Sequence, residues 1–244
     1  MEINIDERID DIGFGNLKLI QKPSDFCYGV DAVILSDFTA RLSKKKKAIA
    51  DLGTGTGIVP IILSHKTDAE VLTGFEVQED SYKRALRNIE INGLSERLEF
   101  VNSNVKDIPD EFYGKYDTVT MNPPYMEGGR GLVNPKDSKM IARHEILGSL
   151  EDFISAASKL LDNRGELFIV HRPSRLADIF VLGRKYHLEP KDMCMVNPRE
   201  GEAPNIVLVH LIKGAGKQLK VLPSLNIYNI NGGYSDDVLE IYER

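Results

Sequence analysis

Ala48-Ile49-Ala50-Asp51-Leu52-Gly53-Thr54-Gly55-Thr56-Gly57-Ile58-Val59-Pro60 decides the fold of this chain. AIADL (48–52) is an apolar run of strand length. GIVPIILSHK (57–66) is apolar at helical spacing, and Pro60 falls in the first turn, where its missing N–H does no harm. Three glycines between a strand and a helix allow a tight turn and bring backbone close to a ligand. A dinucleotide fingerprint would place its third glycine at position 58, which is Ile58. The loop therefore reads GxGxG, and the nicotinamide reading weakens.

Outward from this loop, strand and helix patterns alternate. VLTGFEV (71–77), RLEFV (97–101), YDTVTM (116–121) and GELFIV (165–170) read as strands. EDSYKRALRNIEIN (79–92), LEDFISAASKLL (150–161) and SRLADIFVLGRKY (174–186) read as helices. Such alternation builds a parallel sheet. Two last strands, near 189–196 and 205–212, are joined by the turn-rich NPREGEAPN, which predicts an antiparallel hairpin at one edge. Ahead of the loop, RIDDIGFGNLKLIQK (8–22) reads as a hairpin around Gly13-Phe14-Gly15-Asn16, and VDAVILSDFTARL (30–42) as a helix. We divide the chain into residues 1–43, a hairpin and helix packed on the main domain, and 44–244, the domain itself. The polar, Gly-rich MEGGRGLVNP (126–135) is expected to act as a lid. The tail, 214–244, receives no structural assignment.

Composition narrows the class. The 244 residues are 42% hydrophobic and 28% charged, enough for one well-buried domain without staples. Two cysteines, Cys27 and Cys194, supply neither a disulfide framework nor a thiolate metal site, so no metal is expected and free thiols suit a cytoplasmic location. No apolar run is long enough to span a bilayer, and the acidic start MEINIDERIDD is no signal peptide. A net charge of −6 argues against indiscriminate nucleic-acid coating. It leaves room for a local basic track, and Lys44–Lys47 with Lys213, Lys217 and Lys220 are clustered.

Asp51, two residues before Gly53, completes a pattern that resembles the S-adenosylmethionine (SAM) loop of class I methyltransferases. The resemblance implies a Rossmann-like α/β fold, with a seven-stranded, mostly parallel sheet and helices on both faces. It also implies roles. Gly53, Thr54, Gly55 and Gly57 would lie against the aminoacyl group, Asp51 would face its ammonium, and Glu76 would accept the ribose hydroxyls. Asn104 or Asp107 would accept the adenine amino group. Tyr28 or Phe26 would cover the cofactor. Asp31 would cap the following helix or touch the ligand.

Asn122-Pro123-Pro124-Tyr125 follows the fourth strand of this series. Two prolines fix φ, remove two N–H donors and push Asn122 toward extended backbone. Carbonyls and the Asn122 side chain remain as fixed acceptors, and Tyr125 adds a flat face. Joined to the glycine loop, this motif resembles methyltransferases that modify an amino nitrogen conjugated to a π system. Acceptors on its N–H groups help localise a delocalised lone pair and stabilise the positive charge that develops on nitrogen.

The resemblance extends to Glu7-Arg8-Ile9-Asp10-Asp11, Gly15-Asn16-Leu17-Lys18-Leu19-Ile20-Gln21, Phe26-Cys27-Tyr28-Gly29-Val30-Asp31-Ala32-Val33-Ile34-Leu35 and Ala142-Arg143-His144-Glu145. These stretches are similar to bacterial tRNA adenine-N6 methyltransferases that act on adenine-37 of a valine tRNA. The implied partner is tRNA, with SAM as cofactor. Arg143 and His144 would then meet RNA phosphate or cap a helix. Glutamine-N5 methylation of a release factor, by enzymes that share both motifs, and guanine-N2 methylation of ribosomal RNA, by enzymes of similar build that commonly carry another aromatic after the prolines, stand as alternatives.

Overall fold

The computed structural model describes residues 3–25, 27–124 and 148–244. A separate two-stranded hairpin, β1 (Arg8–Asp11) and β2 (Lys18–Gln21), is followed by α1 (Val30–Leu42). Alternation then begins with β3 (Ala48–Leu52), α2 (Ile58–Lys66), β4 (Val71–Glu76), α3 (Glu79–Asn92), β5 (Leu98–Asn102) and β6 (Tyr116–Met121). It continues through α4 (Leu150–Leu160), β7 (Leu161–His171), α5 (Leu176–Lys185), β8 (Leu188–Asn197) and β9 (Ile206–Lys213). The seven strands β3 to β9 lie in the order β8-β9-β7-β6-β3-β4-β5. The neighbours from β7 through β6, β3 and β4 to β5 are parallel, while β9 runs antiparallel to both β7 and β8.

Local chemistry accounts for the ends of these elements. Gly93, at φ 63°, closes α3 in the left-handed conformation. Ser149 and Asp152 form a reciprocal capping box at the start of α4. Alternation along β6 sends Thr118 and Thr120 to one face of the sheet and Val119 and Met121 to the other. The first face packs α1 and α2 with the hairpin around Phe14, Leu19, Ile34 and Ile61. The second packs α4 and α5 around Phe153, Ile154 and Ile179.

The hairpin is fastened to α3 by polar groups four residues apart. Asn88 Oδ1 accepts the Ile20 N–H at 2.7 Å, and Asn92 Oδ1 accepts the Lys18 N–H at 2.8 Å. The Glu7 side chain is enclosed between Arg84, at 3.2 Å, and Arg87, whose Nη1 donates at 2.8 Å. The Arg87 guanidinium holds the Glu7 carboxyl down at about 2.

The tail is structured, although its sequence carries no clear periodicity. Two-residue strands β10 (Lys220–Val221) and β11 (Leu225–Asn226) add in parallel to β8, widening the sheet beyond the expected seven strands. A last short helix, α6 (Asp236–Ile241), returns the chain to the first face, where Lys66 Nζ donates to the Ile241 carbonyl at 2.9 Å. Cys27 is half-buried and Cys194 buried, both as free thiols.

Candidate functional site

Parallel strands bring the sequence-predicted residues to one edge. Asp51 pairs in register with Thr120 of β6 on one side and Gly74 of β4 on the other. Asn122 follows the last residue of β6, and Glu76 is the last of β4. The carboxyl ends of the strands in an open α/β sheet are where such folds bind ligands.

The glycine loop folds as its sequence requires. Gly53, Gly55 and Gly57 have φ of 68°, 59° and 87°, in the left-handed region. The Gly53 and Thr54 N–H groups both donate to the Phe75 carbonyl, at 2.9 and 3.0 Å, which ties the loop to β4. A Cβ on Gly57 would stand 2.3 Å from the Phe100 ring, whereas one on Gly55 would meet nothing within 4 Å. Gly57 thus serves packing, and Gly55 presents backbone on an open side.

Two buried carboxylates flank this backbone. Glu76 Oε2 accepts the Gly55 N–H at 2.8 Å, and Oε1 accepts the Gln78 N–H at 2.7 Å. Burial nonetheless raises the Glu76 carboxyl above its ordinary range. Asp51 Oδ1 accepts the Thr120 hydroxyl at 2.7 Å. Burial pushes the Asp51 carboxyl up to about 7, against the pull of the neighbouring hydroxyls. The Thr54 hydroxyl lies near enough to favour the charged form of Asp51. It is buried, and its geometry makes no hydrogen bond with any described residue. Such a set of acceptors suits a ligand carrying both a cation and hydroxyl groups.

Other predicted residues take less committed positions. Asn104 lies on the turn after β5, beside the Ser103 N–H that donates to the Glu76 carbonyl at 3.1 Å. Its side chain accepts the Lys106 N–H at 3.0 Å, so it also caps its own turn. Asp107 is exposed. The cap position of α1 is Gly29, with no side-chain capping bond, and Asp31 sits in the first helical turn. Tyr28 lines a cleft of about 450 Å³ with Asp10, Asp11, Tyr234 and Tyr242. Its N–H donates to Gln21 Oε1 at 3.0 Å. Of the acceptor motif, Asn122 and Pro124 are half-buried and Pro123 is buried. Tyr125, Phe26, Arg143, His144 and the lid assigned to 126–135 lie outside the described residues.

Sequence reading missed several supporting residues. Thr120 holds Asp51, and its only signal was the alternation of Thr118 and Thr120 in β6. Gly74 was legible as a glycine inside a strand pattern. A Cβ there would stand 2.4 Å from Phe100 and 2.8 Å from Thr54. Asn88 Nδ2 donates to the Thr56 carbonyl at 2.9 Å, so one buried side chain couples the hairpin to the glycine loop. His171, at the end of β7, is held neutral. Burial, with Arg175 and Arg172 nearby, drives it down to about 4, and its Nδ1 accepts the Arg172 N–H at 2.7 Å. Among the described residues no cluster of metal-ligating side chains occurs, and no helix is long and apolar enough to cross a membrane.

This strand order, with a left-handed glycine loop between two buried carboxylates and an Asn-Pro-Pro turn on the adjacent strand, defines a class I methyltransferase fold. The chain belongs to the methyltransferase small domain family, which it matches over residues 17–180. A Tolumonas auensis protein named tRNA1(Val) (adenine(37)-N6)-methyltransferase is 29% identical over 186 residues, 75% of each chain. A Flavobacterium johnsoniae protein of the same name is 27% identical over 162 residues, 66% of this chain and 68% of that one. Among solved structures, a predicted O-methyltransferase from Agrobacterium tumefaciens superposes with a TM-score of 0.70 at 23% identity, covering 87% of this chain and 95% of that one. M. jannaschii TYW2, solved with AdoMet, superposes at 0.57 with 14% identity and 87% coverage of both.

Proposed function

We propose that this chain methylates N6 of an adenine in tRNA, adenine-37 of a valine tRNA by the names of its relatives, with SAM as donor. The observation that carries the chemistry is the register of β6 on β3. It sets the Asn122-Pro123-Pro124 acceptors one strand away from the glycine loop and Asp51. SAM supplies an electrophilic methyl group on its sulfonium when bound.

Within this reading the open side of Gly55, the Thr54 hydroxyl, Asp51 and Glu76 hold the donor. Asn104 faces its adenine, and Tyr28 and Asp31 border the site from the start of α1. The Asn122 side-chain oxygen and the Pro123 carbonyl accept the two N–H bonds of the target amine, directing its lone pair away from the ring. They also stabilise positive charge as it develops on nitrogen. The prolines hold these acceptors in place, so little reorganisation accompanies the reaction. No base is needed before transfer, because the proton can leave to water afterward. Tyr125 offers the flat face for the base, which must leave its stack to be reached. The reaction belongs in the cytoplasm, where tRNA is modified.

The direct test incubates the protein with labelled SAM and, separately, total tRNA, ribosomal RNA and release factor. Label recovered as N6-methyladenine from tRNA is the expected result. Label in glutamine or in N2-methylguanine would replace this reading with one of its alternatives.

Asp51 makes donor binding pH-dependent. Its folded value, about 7, lies above the ordinary 3.8, so the site keeps a proton through mildly acidic pH. Only the ionised form attracts the ammonium of the donor. Affinity is therefore expected to rise with pH through about 7 and to level above it. In the protein without donor the same proton has the opposite sign. The folded state binds it more tightly than the unfolded chain, so this group's contribution to stability declines as pH rises from 3.8 to about 7. Titration calorimetry across that range reads the affinity and thermal melts of the donor-free protein read the stability, and Asp51→Asn should bind donor weakly with a flattened profile. An unchanged profile in that variant would remove Asp51 from the ammonium site.

A further inference from the structure

Phe14, Tyr242, Tyr234 and Tyr228 form a column of near-parallel rings. Successive centroids are 5.6, 5.4 and 5.8 Å apart, at interplanar angles of 14°, 15° and 13°. The inner end is sealed, with Phe14 0% and Tyr242 8% exposed. The outer end is not, because Tyr228 is 38% exposed. Arg199 sets its guanidinium over the Tyr228 ring at 5.7 Å, and its side chain remains 51% exposed. Ile230, at the tip of the turn between Tyr228 and Tyr234, is almost wholly exposed.

The column opens on the edge that carries Asn122. β8 and β11 run in the direction of β6, and Tyr228 and Arg199 lie just past their ends. The Tyr228 N–H donates to the Pro198 carbonyl at 2.9 Å, and an antiparallel bridge pairs Tyr228 with Tyr234. The exposed ring is thus held by backbone at a defined place. β11, which leads into Tyr228, pairs on the far side of β8 from β9 and so stands four places from β6 in strand order. At the usual inter-strand spacing that is on the order of 19 Å, a reach of a few nucleotides along the RNA chain from a target base.

We propose that Tyr228 and Arg199 form a stacking platform for an unpaired base of the RNA substrate near the target adenine. This rests on the tRNA reading above. Aromatic rings and guanidinium planes are the surfaces on which splayed RNA bases stack. A tyrosine already fixed by its neighbours loses little side-chain freedom on binding. The cation adds attraction for the phosphate chain. Arg199 meets Glu202 at 3.2 Å within its own loop, an exposed pair that leaves its charge available to water and ligand.

The chain contains no tryptophan, so Tyr228→Trp would carry the sole indole. Its emission should be quenched by single-stranded oligoadenylate and little by an RNA duplex of equal length, which offers phosphates without free base faces. With a valine tRNA transcript, Tyr228→Ala should raise KM about 5- to 100-fold, leaving kcat and donor affinity close to wild type and lowering Tm by only a few degrees, and Tyr228→Phe should restore KM. Unchanged KM in Tyr228→Ala would overturn the platform, as would equal quenching by duplex and single strand. A wild-type protein that methylates no tRNA would overturn the proposed function instead. The quenching comparison would then still decide whether this surface takes unpaired bases.

Discussion

Asn122→Ala is expected to bind SAM as tightly as wild type and to lose methyl transfer by about 10²–10³-fold, the loss typical of removing one group from a preorganised oxyanion site. The two cases share their physics. A fixed dipole faces the place where charge develops and does not reorganise during the reaction. Here the polarity is reversed, since an oxygen acceptor faces positive charge on nitrogen. Asn122 leaves the last residue of β6 and enters two prolines that fix the backbone after it. The effect should fall on kcat, because the interaction strengthens only as the nitrogen becomes cationic. Calorimetry with SAM and single-turnover transfer to tRNA separate the two quantities. Normal turnover in this variant would remove Asn122 from the chemistry. Loss of SAM binding together with activity would make it a structural residue of the donor site.

Gly57→Ala is expected to lower folding stability by about 2–5 kcal/mol and to abolish donor binding at ordinary concentrations. Two effects add. A non-glycine residue at φ 87° leaves its favoured region, which costs about 1–2 kcal/mol. Its Cβ would also stand 2.3 Å from the Phe100 ring, and overpacking of this kind adds about 1–3 kcal/mol. For a chain of this size the sum should lower Tm by about 5–15 °C. Gly55→Ala is the informative control. Its φ is 59° and nothing lies within 4 Å of the added carbon, so stability should fall by only about 1–2 kcal/mol. Donor affinity should fall further in proportion, because the methyl group enters the side from which a ligand reaches the backbone. Thermal melts and SAM titrations of the pair distinguish packing from binding. A Gly57→Ala protein that melts with wild type would show that Phe100 yields without strain.

Most of the fold is legible in local pattern. The reading of 30–42, 48–52, 79–92 and 116–121 coincides with α1, β3, α3 and β6. Each is an apolar run or amphipathic stretch bounded by glycine, proline or polar caps, so its limits are set within a few residues of itself. The glycine loop, Glu76 and Asn122 were legible for the same reason, since each stands at the end of an easily read strand. The tail was not. The two-residue strands β10 and β11 exist because β8 offers an unpaired edge, and their own sequences show no period. Seven strands were therefore expected where nine are joined among the described residues. Tyr228, Tyr234 and Tyr242 likewise show no helical or strand spacing that would announce a column.

By itself, the sequence determined the order of strands and helices, the left-handed loop and the turn that presents Asn122. Backbone geometry and apolar spacing act over a few residues, and those residues are contiguous. Tertiary structure alone decided what the buried groups experience. Thr120 reaches Asp51 across 69 positions of sequence, Asn88 links the hairpin to Thr56, and burial carries the Asp51 carboxyl toward neutrality. Those properties depend on which strands lie side by side and how much water they exclude. Long-range pairing sets both, and no local run of residues encodes it.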